Sequence, residues 1–219
     1  MTTTEVVDGV LVVHLGDGPN TVDEALLSAL EGALDAVEAD AAVRGLVTIG
    51  DGKAYSQGYD LELFGTFEGG ALQAFIDRSV VLLARFLTAP VPTVAALNGH
   101  TFGWGAMFAL AHDQRVQRAD RGWFCLPEVD LGLQFHPLQL SLIQAKLSPA
   151  AVSESILAGR RWDAEAAHHA GVVDATATEA DLLRAAVDLA LARSGKERGI
   201  VSALKADLYA STLELTPPL

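Results

Sequence analysis

Residues 93–113, TVAALNGHTFGWGAMFALAHD, constrain the fold of this chain more than any other segment. The segment begins as an apolar strand, passes through Gly99, Gly103 and Gly105, and continues as a helix. Backbone of this kind directs free N–H groups at a developing anion. A lone glutamate, Glu128, follows fifteen residues after the segment, in LPEVDLG. The pattern therefore predicts an anion-binding backbone beside a carboxylate that can transfer protons.

Hydrophobic periods of two and of 3.6 residues alternate around this segment. Strands are predicted over residues 10–15, 45–49 and 93–97, and helices over residues 22–37 and 72–87. Thr21 and Glu24 form a capping-box pattern at the first helix. The order β-α-β-α-β-α predicts an α/β core with right-handed crossovers.

The sequence after Pro137 is predicted to be almost wholly helical. The expected helices span residues 138–146, 149–158, 163–170, 179–194 and 196–213. Because no repeat or low-complexity linker interrupts the chain, we expect one domain over residues 1–219. It would consist of an α/β core at 1–136 and a helical C-terminal region at 137–219.

Composition excludes several classes of function. A net charge of −13 disfavours nucleic acid and anionic membranes as partners. No stretch reaches the ~18 apolar residues that a membrane span needs, and a single cysteine, Cys125, suits a reducing compartment. His168 and His169 are adjacent and point to different faces of a helix, so no metal site is expected. We expect a soluble, cytoplasmic protein.

Two loops follow predicted strands, where α/β sheets present their ligand sites. The first, residues 50–61, reads GDGKAYSQGYDL, and the second, residues 98–107, reads NGHTFGWGAM. Together with Pro127-Glu128 they resemble the crotonase superfamily of enoyl-CoA hydratases and isomerases, which carries G-x-G-x-x-F-S-x-G-x-D-L and N-G-x-x-x-G-G-G segments. The stretch HDQRVQRADRGWFCLPEVDLGL is most similar to the Δ3,Δ2-enoyl-CoA isomerases of the plant peroxisomal type.

The resemblance implies a crotonase-like ββα superhelix core and an acyl-CoA thioester as substrate. Coenzyme A belongs to that substrate, so no separate cofactor is expected, and the assembly would be a homotrimer or hexamer. The thioester oxygen would lie between the backbone N–H groups of Tyr59, after Gly58, and Trp104, after Gly103. The family often has glycine where this chain has Trp104, and a bulky indole would reshape the acyl pocket.

Glu128 matches a catalytic glutamate of both hydratases and isomerases. Hydratases use a second glutamate where this chain has Met107, and a thioether cannot hold or activate water. One carboxylate suffices to move a proton from C2 to C4, so the sequence favours an isomerase. Four apolar neighbours are expected to desolvate Glu128 and raise its pKa, namely Phe124, Leu126, Val129 and Leu133.

The residues expected to contact substrate are Lys53, Gln57, Gly58, Asp60, Gly103, Met107 and His136. Gln57 would meet the nucleotide, whereas Lys53 would either touch a CoA phosphate or remain solvated. Asp60 also fits a cap role, because aspartate favours turns and helix N-termini. His136 would line the acyl pocket or form the helix entry before Pro137.

Two alternatives to an isomerase stay open. In the first, an enolate formed at C2 of the acyl-CoA would lead to weak hydration, decarboxylation or thioester hydrolysis instead. A non-catalytic acyl-CoA-binding or scaffold protein would keep the fold without the reaction.

Overall fold

The computed structural model describes residues 1–218, in which short strands alternate with helices. The first half contains β1 (Thr3–Val7), β2 (Val10–His14), β3 (Thr21–Val22), α1 (Glu24–Ala39), β4 (Gly45–Ile49), β5 (Ala54–Ser56), β6 (Gly58–Tyr59), α2 (Leu61–Phe64), α3 (Ala71–Leu87), β7 (Thr93–Leu97), β8 (His100–Phe102) and α4 (Trp104–Ala111). The second half contains β9 (Gln114–Arg118), β10 (Phe124–Cys125), α5 (Glu128–Leu131), α6 (Pro137–Lys146), α7 (Pro149–Leu157), α8 (Ala164–His169), β11 (Ala175–Ala177), α9 (Leu182–Arg193), α10 (Arg198–Leu208) and α11 (Ala210–Leu213).

The main sheet has six strands in the order β1-β2-β4-β7-β9-β11. All of its neighbouring strands are parallel except β1 and β2, which form an antiparallel hairpin. A second sheet places β8 between β10 and β5, with parallel pairing on both sides. Strands β3 and β6 form a small third pair, also parallel. The fold is therefore α/β, as the sequence predicted.

Apolar side chains cover both faces of the main sheet, which explains the nearly continuous hydrophobic runs of its central strands. One face packs against α1, α3 and α4, and the other packs against α9. Helix α4 is buried at every position, since its sequence WGAMFALA has no polar face. The glycine run thus leads into the centre of the protein rather than along its surface.

Several predicted elements differ in the structure. The Thr21–Glu24 capping box is wrong: Thr21 belongs to β3, and the carboxylate of Asp23 accepts the Leu26 N–H at 2.7 Å and so caps α1. Strand β11 lies inside the region predicted to be helical and joins the main sheet beside β9. Within residues 1–218, no helix combines the length and the hydropathy required to cross a bilayer.

Candidate active site

The three-stranded sheet brings the three sequence motifs together. Its strands run parallel, with Ser56 paired to Thr101 and Phe124 also paired to Thr101. Each motif continues from the carboxyl end of one of these strands: residues 57–59 follow β5, residues 103–104 follow β8, and residues 126–128 follow β10. Because parallel strands end at the same edge, segments far apart in sequence converge there.

Gly58 packs directly against the start of α4. Its φ is +82°, and a Cβ added there would lie 2.8 Å from the Phe102 carbonyl oxygen and 3.0 Å from the Trp104 nitrogen. Only glycine tolerates both the backbone conformation and this approach. The contact places the peptide that leads to Tyr59 beside the backbone nitrogen of Trp104.

The backbone at the start of α4 offers N–H groups. Gly103 is the N-cap with a φ of +53°, and it has no side chain with which to cap the helix. The N–H groups of Ala106 and Met107 bond to the Gly103 carbonyl. Trp104 is the first helical residue, so the helix itself provides no acceptor for its N–H. The positive end of the helix dipole adds to the attraction for an anion here.

Glu128 begins α5 and is buried, with 7% of its surface exposed. Its Oε2 has no hydrogen-bond partner among the described residues. Its Oε1 faces Gly103, where an added Cβ would lie 3.4 Å away. Burial raises the pKa of this carboxyl from 4.5 to about 7. A poorly solvated carboxylate next to the N-terminus of a helix is an arrangement suited to proton transfer beside a developing anion.

The apolar surroundings expected for Glu128 are only partly present. Phe124 and Leu126 are buried as predicted, but Val129 and Leu133 are each 46% exposed. The prediction is wrong for Leu133 because this residue lies outside α5, after Gly132, which ends the helix in a left-handed conformation. It is wrong for Val129 because α5 is a single turn, and only one side of a single turn can face the interior. Glu128 occupies that inner side.

The ring of Tyr59 is fixed from several directions. Its hydroxyl lies 2.6 Å from Ser79 Oγ and accepts a hydrogen bond from Gln139 Nε2 at 3.5 Å. Its ring packs against Phe64, with ring centres 5.2 Å apart. Burial raises the pKa of this phenol to about 12, so the hydroxyl stays protonated. Ser79 and Gln139 carry no motif, and the sequence alone gave no signal for this role.

Trp104 and Met107 are interior side chains, 1% and 2% exposed. The indole stacks on Phe108 with ring centres 5.1 Å apart, and it lies 6.4 Å from the ring of Tyr59. Both residues that carry the predicted N–H donors therefore place aromatic rings into the same region. Met107 places a buried thioether at the position where the resemblance puts the second glutamate of hydratases, so this position has no carboxylate.

Lys53 and Gln57 are exposed on the other side of this segment, in an open groove of about 540 Å³. Arg121 lines the same groove and provides a second cation. Two carboxylates, those of Asp17 and Glu179, also line it. The sequence did not reveal Arg121 as a groove residue: it lies in the stretch HDQRVQRADRGWFCLPEVDLGL that carries the family resemblance, but it follows the unpredicted strand β9.

Asp60 and His136 both cap helices. Asp60 accepts the N–H groups of Glu62 and Leu63 and so begins α2. His136 accepts the Leu138 N–H through Nδ1 at 3.2 Å, while its own N–H donates to Gln139 Oε1. For His136 the structure favours the helix-entry interpretation, with the proline following at the first helical position.

Comparison with known proteins agrees with this geometry. Residues 5–216 match the family described as enoyl-CoA hydratase/isomerase. Enoyl-CoA delta isomerase 3 of Arabidopsis thaliana is 39% identical over 136 residues, which is 60% of this chain and 57% of that protein. The peroxisomal enoyl-CoA delta isomerase 1 of the same plant is 31% identical over 179 residues, covering 80% of this chain and 74% of the relative.

The fold matches as well. An enoyl-CoA hydratase/isomerase family protein from Pseudomonas syringae superposes with a TM-score of 0.90 at 25% identity, over 98% of this chain and 93% of the other. The predicted crotonase-like core is thereby confirmed. The convergence of three motifs at one sheet edge and the match over nearly the whole sequence lead to one conclusion: this chain belongs to the enoyl-CoA hydratase/isomerase family, the crotonases, whose members act on acyl-CoA thioesters.

Proposed function

We propose that this chain is an enoyl-CoA Δ-isomerase that converts 3-enoyl-CoA into 2-trans-enoyl-CoA. The observation that carries the proposal is the pairing of a buried Glu128, with one oxygen unpartnered among the described residues, and a buried Met107 in place of a second acid. One carboxylate can shuttle one proton. It cannot also hold and activate water.

In the proposed reaction, the thioester oxygen first accepts hydrogen bonds from the backbone N–H groups of Tyr59 and Trp104. Glu128 removes a proton from C2, and the electron pair delocalises into a dienolate whose oxygen carries the charge. The same carboxyl then returns the proton to C4, so the double bond ends between C2 and C3. Each N–H donor is worth roughly 3 kcal/mol in related oxyanion holes. A pKa of about 7 suits a base that must both accept and release a proton near neutrality.

The groove lined by Lys53, Gln57 and Arg121 would hold the coenzyme A portion of the substrate. Lysine and arginine both bind phosphate, lysine as a point charge and arginine through a planar fork. The net charge of −13 makes such local cations the contact points for an anionic substrate. A homotrimer or hexamer is a further proposal that follows from family resemblance. A cytoplasmic location is a proposal that rests on the single cysteine, which suits a reducing compartment.

The test is incubation with 3-hexenoyl-CoA while the ultraviolet absorbance of the conjugated thioester is followed. We expect native protein to produce the signal and Glu128→Gln to lose it, because an amide cannot accept the C2 proton. Glu165→Gln, which changes an exposed carboxylate on α8, is the matched control and keeps the activity. Absence of the signal, or a signal that survives Glu128→Gln, would overturn the proposal.

A second candidate is another reaction through the same enolate, because the base and the N–H donors serve any acyl-CoA whose C2 becomes anionic. Mass spectrometry of the products separates the cases. A gain of water indicates hydration, a loss of carbon dioxide indicates decarboxylation, and free coenzyme A indicates thioester hydrolysis. A non-catalytic binder would bind acyl-CoA yet leave deuterium at C2 unexchanged.

A further inference from the structure

The indole of Trp104 fills the space next to the candidate oxyanion hole. Its own backbone N–H is one proposed donor, and its ring packs between Phe108, at 5.1 Å, and Tyr59, at 6.4 Å between ring centres. Tyr59 in turn packs against Phe64 and Phe75. These five aromatic residues form what we call the aromatic wall. A thioester bound between the two N–H groups therefore has aromatic rings immediately beside it.

The direction of the acyl chain follows from the groove on the opposite side. Lys53 and Gln57, which would hold the coenzyme A portion, precede Gly58 in the chain and are exposed to solvent. With the coenzyme A portion in that groove and the thioester oxygen at the two N–H groups, as the proposed function has it, the acyl portion would extend toward the aromatic wall. Trp104 is 1% exposed, whereas Tyr59 and Phe64 are only partly buried, so the wall is closed to solvent at the indole and more open at Tyr59 and Phe64.

The indole N–H supports a ligand space at this place. Trp104 Nε1 is buried and has no acceptor among the residues that the structure describes. In contrast, Nε1 of the other buried tryptophan, Trp162, donates to Ser155 Oγ at 3.0 Å. A buried donor without an acceptor is unfavourable in a closed core and is expected where a ligand or solvent enters. The missing acceptor indicates that Trp104 is not only a core packing residue.

We infer that Trp104 is a specificity-determining residue that restricts this enzyme to short acyl chains, of butenoyl to hexenoyl size. The inference rests on the proposed function, because it takes the two N–H groups as the thioester site. Longer chains would have to displace the indole from its stack on Phe108.

Binding of saturated acyl-CoA esters tests the inference without requiring any reaction. Titration calorimetry compares butyryl-, hexanoyl- and decanoyl-CoA with native protein, Trp104→Ala and Trp104→Phe. Burial of each methylene strengthens binding by about fourfold, so an open pocket favours decanoyl-CoA. We expect native protein and Trp104→Phe to bind decanoyl-CoA no more tightly than hexanoyl-CoA. Trp104→Ala should bind decanoyl-CoA at least about 10-fold more tightly than native protein does.

Phe86→Leu is the control for a general loosening of the core. Phe86 is buried, and its ring centre lies 4.8 Å from that of Phe108. Phe108 therefore separates it from Trp104 and from the backbone N–H donors. This variant should keep the native order of affinities. If Trp104→Ala does not fold, Trp104→Leu removes less volume and serves the same comparison.

The outcomes separate this inference from the proposed function. If native protein already binds decanoyl-CoA about 10-fold or more tightly than hexanoyl-CoA, the chain-length inference is overturned and the isomerase proposal stands. If native protein binds short chains but no conjugated product forms from 3-hexenoyl-CoA, the inference on binding stands and the isomerase proposal fails. If no acyl-CoA binds at all, both are overturned.

Discussion

Oε1 of Glu128 lies next to Gly103: a Cβ added to this glycine would be 3.4 Å from the oxygen. The buried carboxyl is therefore a close neighbour of the peptide that precedes Trp104. Charge on the carboxylate is poorly solvated there, which raises the pKa of Glu128 to about 7. Ionisation of this side chain therefore affects both the proposed reaction and the stability of the fold.

The proposed isomerase activity should rise with pH and level off above about 7. Proton abstraction requires the carboxylate, and the carboxyl is protonated below its pKa of about 7. Measurement of kcat/KM for 3-hexenoyl-CoA between pH 5 and pH 9 should give about a tenfold rise per unit on the acidic side. A profile that is flat through neutrality would show that Glu128 is not the base.

Glu128→Gln should stabilise the protein at high pH. The folded-state pKa of about 7 lies above the ordinary value of 4.5, so the folded state binds the proton more tightly than the unfolded state. The contribution of Glu128 to the free energy of unfolding is therefore largest below pH 4.5. It falls between pH 4.5 and pH 7 and stays low above pH 7. Because Glu128→Gln removes the charge, it should raise the free energy of unfolding by up to roughly 3 kcal/mol at pH 8 and by much less at pH 5.

Urea denaturation at the two pH values measures this difference. Glu165→Gln removes an exposed carboxylate and should show no such pH dependence. Equal changes for Glu128→Gln at both pH values would contradict the raised pKa.

Gly58→Ala should impair both folding and activity. The added Cβ would lie 2.8 Å from the Phe102 oxygen, at a φ of +82° that alanine rarely adopts. We expect a loss of about 1–3 kcal/mol in stability and about a 100-fold lower kcat from displaced N–H donors. Gly32→Ala is the matched control: it lies inside α1 with nothing within 4 Å. That variant should gain up to about 1 kcal/mol and keep full activity.

Met107→Glu should introduce water addition to 2-butenoyl-CoA. The side chain is buried, 2% exposed, on the helix that begins at Trp104, where a carboxylate could activate water. We expect hydration at least about 10-fold above native protein. Met107→Gln has a similar size without a basic group, so it should remain at the native level. Equal rates for the two variants would show that the missing acid is not what disfavours hydration in this protein.

The parts of the site that the sequence predicted lie within short, contiguous motifs. Gly58, Gly103 and Glu128 each lie within three residues of the end of a strand, and their neighbours in sequence are also their neighbours in space. What joins the motifs is the register of β5, β8 and β10, and these strands are two or three residues long. Such short strands have no detectable hydrophobic period, so only the resemblance indicated that the motifs meet.

The missed features depend on contacts between distant residues. Strand β9 reads QRVQR, which no apolar pattern would assign to a buried strand. It is buried because Arg115 bonds to Asp174 at 2.8 Å and Arg118 bonds to Glu179 at 2.5 Å. Partner side chains of this kind make a polar strand compatible with the interior, and they cannot be paired from sequence spacing.

Lys205 fixes the C-terminal helices to the end of α4, and its loss should be costly. Its Nζ lies 2.6 Å from Asp113 Oδ2 and donates to the carbonyl oxygens of Ala89 and Val91, both at 3.0 Å. The two side chains of the pair are only 12% and 17% exposed. Lys205→Met would leave the Asp113 carboxylate without its cation, and we expect a loss of about 3 kcal/mol or more. Arg184→Met breaks two ion pairs, with Asp8 and Asp188, in which all three side chains are more than half exposed, so its unfolding midpoint should match native protein. Similar urea midpoints for both variants would show that α10 contributes little to holding the core together.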